Sequence, residues 1–165
     1  MSSPLLVRDV MRIGVPICKL EDTVAQVAAL MIDGGHTAVI VLDEEADTRG
    51  WINEHILAAA YKQADASHED AATIAIQDVM DEDVPECASD APLAAAVGIM
   101  AGLGVDHLFF LHRAAGRMWP ASVLSLRDVV KALAGPEYLK NQGMHAARPT
   151  PMDLFRQRYG LPDKR

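Results

Sequence analysis

Aromatic side chains are scarce in this 165-residue sequence: three Phe, three Tyr and two Trp make up 5% of it. Its core must therefore be assembled from aliphatic groups, and alanine and valine are correspondingly abundant. Cysteine is nearly absent too. Cys18 and Cys87 belong to no CxxC pair, which excludes a disulfide scaffold and leaves a buried, reduced thiol as the reading for each. No apolar run reaches the roughly 18 residues that a membrane helix needs. The opening MSSPLLVRDVM lacks the basic-then-apolar order of a secretory signal, so a cytoplasmic protein with no membrane partner is expected. Basic residues are outnumbered, 15 Lys and Arg against 23 Asp and Glu, for a net charge of −8. That weighs against a nucleic-acid partner, which leaves a basic footprint, while allowing one small phosphate pocket lined by a few cations. There is no G-x-S-x-G elbow, and GGHT at 34–37 lacks the lysine of a phosphate loop, so no enzyme is expected.

What the sequence does have is a repeat. Displaced by 69 positions, its halves align without gaps: Asp9-Val10-Met11 on Asp78-Val79-Met80, Val15-Pro16 on Val84-Pro85, Cys18 on Cys87, Met31 on Met100, Gly35 on Gly104 and Leu42 on Leu111. Apolar positions match easily by chance; an Asp, a Pro, a Cys and a Gly in one register do not. Each copy reads alike. A short helical stretch leads to a brief apolar strand near 15–18 or 84–87. Asp22 or Asp90 then opens a helix as N-cap, with Pro92 in the first turn of the second. Val24, Val27, Ala28 and Met31 recur at helical spacing, and glycines end both helices at 34–35 and at 102 and 104. Apolar strands AVIVL (38–42) and HLFFL (107–111) follow, then a second short strand and a closing helix. The fold class is α/β (α+β), with the order β-α-β-β-α twice. The copies span 1–63 and 73–135, joined by an acidic linker at 64–72 and followed by a tail at 136–165. In that tail, MDLFRQRY (152–159) has the pattern of one amphipathic helix.

A duplicated β-α-β-β-α unit whose copies open on D-V-M, with S-L-R-D starting the last helix, resembles the CBS (cystathionine β-synthase) domain family over residues 5–135. The resemblance implies a tandem pair, or Bateman module, packed with pseudo-twofold symmetry around two clefts. Such clefts hold adenosine derivatives (AMP, ADP, ATP or S-adenosylmethionine), so a regulatory sensor without catalysis or a required cofactor is implied. The family's polar signature, Gly-h-h-Ser/Thr-x-x-Asp, falls in the second copy on Ser125 and Asp128, with Ser122 in place of the glycine and Arg127 positioned to reach a phosphate. The carboxylate would accept from both ribose hydroxyls, and the helix start favours phosphate. The first copy keeps Gly50 but has Asn53 and Ile56 at the polar positions, so one cleft reads as competent and the other as lost.

By the same resemblance, the wall facing Asp128 comes from the opposite copy: Met11, Val15, Pro16, His36 and Thr37. His107 stands where relatives place a phosphate-binding cation. Read without the family, Ser125 and Asp128 also fit an ordinary helix N-cap and first-turn carboxylate. His107 and His112 point to opposite faces of one strand and make no metal pair, so no metal site is expected. The implied partners are a small nucleotide, a second copy in a homodimer and an unidentified protein target. The competing reading is a ligand-free adaptor that works through dimerisation and protein contacts.

Overall fold

Local chemistry sets the helix ends. Thr23, one residue beyond the expected Asp22, caps α2 (Val24–Gly34): its hydroxyl accepts from Gln26 N, and the Gln26 side chain returns to Thr23 N at 2.8 Å. Asp22 accepts the Lys19 N–H instead and closes the preceding turn. Its counterpart α4 (Leu93–Leu103) is entered through Pro92, with no side-chain cap, so Asp90 is not its N-cap either. Gly35 and Gly104 end these two helices at φ of 62° and 68°, a left-handed conformation that costs a residue with Cβ.

The structure, a computed structural model, describes residues 4–140. Its first half contains α1 (Val7–Val10), β1 (Arg12–Ile13), β2 (Ile17–Lys19), α2, β3 (Ala38–Leu42), β4 (Thr48–Asn53) and α3 (Glu54–Ser67). Single 3-10 turns at Ala71–Thr73 and Ile76–Asp78 lead into α4, β5 (His107–Ala114), β6 (Arg117–Ser125), α5 (Leu126–Ala134) and α6 (Pro136–Lys140). The stretch read as a linker, 64–72, holds the last turn of α3, with Ala64 buried. The amphipathic pattern at 152–159 lies outside the described residues. Among the described residues, no helix is long and apolar enough to cross a membrane.

One three-stranded sheet has the order β2-β3-β4, with β2 parallel to β3 and β4 antiparallel to it. The other runs β1-β6-β5 and is antiparallel throughout. In the second copy the expected first strand is reduced to one bridge, Glu86 to Phe109. Its hydrogen bond, Phe109 N to Pro85 O at 2.8 Å, still reproduces Ile40 N to Pro16 O in the first copy. Glu86 stands where Ile17 stands, and its weaker strand preference accounts for the shorter ladder.

The two openings are exchanged. Val7 N bonds Ala91 O, Arg8 N bonds Ser89 O and Leu93 N bonds Leu5 O, all between the start of the first copy and the body of the second. The mirrored set joins Ile76 N to Asp22 O, Gln77 N to Leu20 O and Val24 N to Ile74 O. Apolar packing follows the same exchange. Val7 and Val10 are buried with Ala96, Met100, Leu108 and Leu124, whereas Ile76 is buried with Val27, Met31, Val39 and Ile52. A third cluster lies between the sheets, where Trp51 meets Phe109 edge-on at 5.6 Å beside Ile40, Leu111 and Val123. The repeated D-V-M is therefore structural. Asp9 accepts the Leu6 N–H at 2.9 Å, Val10 is fully buried and Met80 packs on the first cluster.

Cys18 is buried and Cys87 half-buried. Burial, with Asp22 nearby, pushes the Cys18 thiol up to about 12, and burial with Glu86 pushes Cys87 up to about 11. Both thiols are therefore poor nucleophiles. Close approach of the exchanged segment Met80-Asp81 explains why the first copy keeps its glycine. A Cβ on Gly50 would stand 2.6 Å from the Asp81 carbonyl oxygen and 2.8 Å from the Met80 sulfur. Gly50→Ala is expected to destabilise the protein by about 1–3 kcal/mol, the range for overpacking, seen as a lower urea midpoint. An unchanged midpoint would contradict the tight contact.

Candidate functional site

The exchange carries the Arg12–Pro16 segment across to the second copy, where β1 pairs with β6 in the register Arg12 to Val123 and Ile13 to Ser122. This leaves a cavity of about 320 Å³ between the copies. Its floor and one wall are Arg12, Ile13, Gly14, Val15 and Pro16; the rest is His36, Thr37, Ala38, His107 and Val123. Of the residues expected here, Val15, Pro16, His36, Thr37 and His107 line the cavity. Met11 instead packs against the cluster around α4 and α5, and Arg127 is exposed on α5 away from the lining.

Ser125 and Asp128 lie behind the lining. Ser125 is the N-cap of α5 and forms a reciprocal box with Asp128. Asp128 is fully buried, and its Oδ2 accepts from Ser125 N at 2.9 Å, Ser125 Oγ at 2.7 Å and Arg12 Nε at 3.3 Å. Its Oδ1 is buried with no hydrogen-bond partner. A helix cap alone uses only one side of that carboxylate. A buried acceptor left unpaired costs about 1–3 kcal/mol, so the second oxygen is an acceptor with capacity for a donor.

A second polar group crosses between the copies. His107, 2% exposed, lies with Nε2 2.8 Å from Thr37 Oγ1 and Nδ1 2.7 Å from Asp106 Oδ1. Asp106 Oδ1 also accepts from Asn53 Nδ2 at 3.0 Å, while Asn53 Oδ1 accepts the Ile56 N–H and caps α3. Burial pushes the Asp106 carboxyl up, but the bond and charge of His107 and the Asn53 amide outweigh it and hold the group below its ordinary value. A carboxylate has no proton to give, so Nδ1 of His107 carries the hydrogen, and in the neutral ring Nε2 accepts from Thr37. Asn53 thus does more than vacate a signature position: it fixes the residue that orients His107.

Arg12, Val123 and Asp106 were not among the expected residues. A signal for Arg12 was present in the repeat, since its mate is Asp81 just as the mate of Asp128 is Ile56. Asp81 pairs with Trp51 through its backbone as Arg12 does with Val123, but its carboxylate accepts the Asp83 N–H at 2.9 Å, and Ile56 packs into apolar clusters. Among the described residues, no group of three or more His, Cys, Asp and Glu is placed to hold a metal ion.

The His107 network makes a pH-dependent contribution whose sign is fixed. A carboxyl depressed in the folded state stabilises above its unfolded value, near 3.9, and that contribution is lost as pH falls through the folded value. Asp106→Ala should cost about 2 kcal/mol at pH 7, with the gap to the parent protein narrowing below about pH 4. Urea unfolding at pH 7 and pH 3 checks this; an equal gap at both would contradict it.

The CBS domain family pattern matches residues 7–62 and 76–135. No curated protein sequence matches the chain. Solved structures share the fold. An uncharacterised conserved protein from Pyrococcus horikoshii is 14% identical with a TM-score of 0.66, covering 81% of this chain and 95% of its own. A CBS-domain containing protein from Agrobacterium tumefaciens is 22% identical with a TM-score of 0.64, covering 73% and 85%. A third, solved as a CBS domain pair in complex with 5′-methylthioadenosine and S-adenosyl-L-methionine, is 14% identical with a TM-score of 0.64, covering 79% and 97%. With both copies matched and their exchanged packing in view, this chain belongs to the CBS domain family, as a tandem pair.

Proposed function

We propose that the chain is a regulatory module that binds one adenosine-type ligand in the cleft between Arg12 and His107. The observation that carries this reading is the unpaired Oδ1 of Asp128, placed behind that cleft in the Ser-x-x-Asp position. A ribose hydroxyl supplies the missing donor. The apolar side chains of Ile13, Val15, Pro16 and Val123 suit a purine face, and 320 Å³ is the size of a small-ligand site. A solved CBS pair of the same fold carries two adenosine compounds, which agrees with the ligand class. Because the lining comes from both copies, a bound ligand favours one relative arrangement of them and passes that preference to a partner protein. The line Thr37–His107–Asp106 has the order of a catalytic triad, but it links the copies and also holds Asn53. We read it as a clasp.

Titration calorimetry with AMP, ADP, ATP and S-adenosylmethionine tests the proposal. One site per chain is expected, weakened at least about tenfold by Asp128→Ala, the loss of a charged hydrogen-bond acceptor. No binding of any of the four at millimolar concentration contradicts it.

A compatible second reading is assembly of two chains through α4 and α5. Their outer faces expose Leu103 at 61%, Val130 at 61% and Leu133 at 82%. Exposed apolar groups mark association surfaces where they adjoin. Light scattering should give a dimer mass that falls to the monomer in Leu133→Glu; a monomeric parent protein removes this reading.

A further inference from the structure

The cleft has an occupant of its own carboxylate. Arg12 lines the cavity and Asp128 does not, and the guanidinium Nε lies 3.3 Å from Asp128 Oδ2. The Arg12 side chain is 33% exposed and that of Asp128 1%, so Arg12 stands between the open space and the buried acid. The acid is only half used: three donors converge on Oδ2, and Oδ1 has none. The remaining lining adds two imidazoles, His36 and His107, and among the described residues no carboxylate lines it. In a chain of net charge −8, a cavity faced by a guanidinium and, among the described residues, by no carboxylate is an exception in sign.

The repeat provides an internal control. At the mate of Arg12 stands Asp81, and at the mate of Asp128 stands Ile56. Both members of the pair are absent together from the other side. The ion pair between residues 116 positions apart is thus present at one of two equivalent places.

We infer that Arg12 is the specificity-determining residue of this cleft and selects phosphorylated nucleosides over uncharged or cationic ones. The inference rests on the adenosine-type reading above and deepens it. In the structure the guanidinium lies against Asp128. A nucleotide entering the cleft exchanges partners: its ribose hydroxyls donate to the Asp128 carboxylate, and its phosphate accepts from the freed guanidinium, whose five N–H donors suit an anion. An uncharged nucleoside satisfies the acid but strands the guanidinium. A sulfonium nucleoside adds like charge beside it. Arg12 thus both guards the acid against neutral ligands and rewards the phosphate.

Calorimetry of AMP, adenosine and S-adenosylmethionine against the full chain, Arg12→Gln and Arg12→Lys tests this. The parent protein should bind AMP at least about tenfold tighter than adenosine or S-adenosylmethionine, the scale of one charge-assisted contact. Arg12→Gln should close the gap from both sides, with AMP weakened and adenosine unchanged or tighter because its competitor is gone. Arg12→Lys, which keeps the charge, should retain the preference. Equal affinity for AMP and adenosine in the parent protein, or a preference that survives Arg12→Gln, overturns the role of Arg12 and leaves the adenosine-type reading standing. Equal binding of AMP and adenosine by Arg12→Lys overturns the charge argument. Failure of all three ligands to bind the parent protein removes the adenosine-type reading and this inference with it.

Discussion

Neither copy can complete its own core, and the rest of the molecule depends on that. The helical surface of each sheet is finished by the opening segment of the other, through Val7 and Val10 on one side and Ile76 on the other, all without solvent exposure. The backbone bonds that fasten these openings come in matched sets, each displaced by one repeat length. Burial of three aliphatic side chains stabilises the pair by several kcal/mol at roughly 1.5–3 kcal/mol each. The copies are therefore one folding unit. The exchange also places Arg12, from the first copy, beside Asp128 in the second, so the candidate site exists only in the assembled pair.

A symmetric scaffold then carries an asymmetric set of polar groups. On the Arg12 side a guanidinium joins the open space to a buried acid; on the other, the Asp81 carboxylate accepts the Asp83 N–H and Ile56 packs on the apolar clusters. The His107 network sits between them. It takes Thr37 and Asn53 from one copy and Asp106 and His107 from the other, so two hydrogen bonds cross between the copies and a third joins them within the second. One of its members, Asn53, stands at the signature position that Ser125 holds in the second copy.

The repeat made most of the fold legible. Its register in sequence is its register in space, down to the equivalent bonds at Pro16 and Pro85. The starts of α2 and α4 were legible to within two residues: α4 begins after Pro92 and not Asp90, and Thr23 displaced Asp22 because a hydroxyl with Gln26 three residues later closes a reciprocal box, while Asp22 is better used in the preceding turn. The exchange of openings was not legible. Packing on one's own copy or on its twin leaves the same pattern of apolar positions, since the two surfaces are near-identical. For the same reason Met11, expected in the cleft, turns into the core of the second copy, and Asn53 read as a loss when its amide has a partner 53 positions away. Arg12 was overlooked because one cation next to a motif is unremarkable until the buried acid beside it is seen.

A crystal structure of the chain grown with AMP tests the central claim, that function resides in one of two pseudo-equivalent clefts, most directly. The account predicts density for one nucleotide per chain, with its ribose on Asp128 and the Arg12 guanidinium turned from that carboxylate toward the phosphate. Nucleotide bound on the Asp81–Trp51 side, or in both clefts alike, would contradict it.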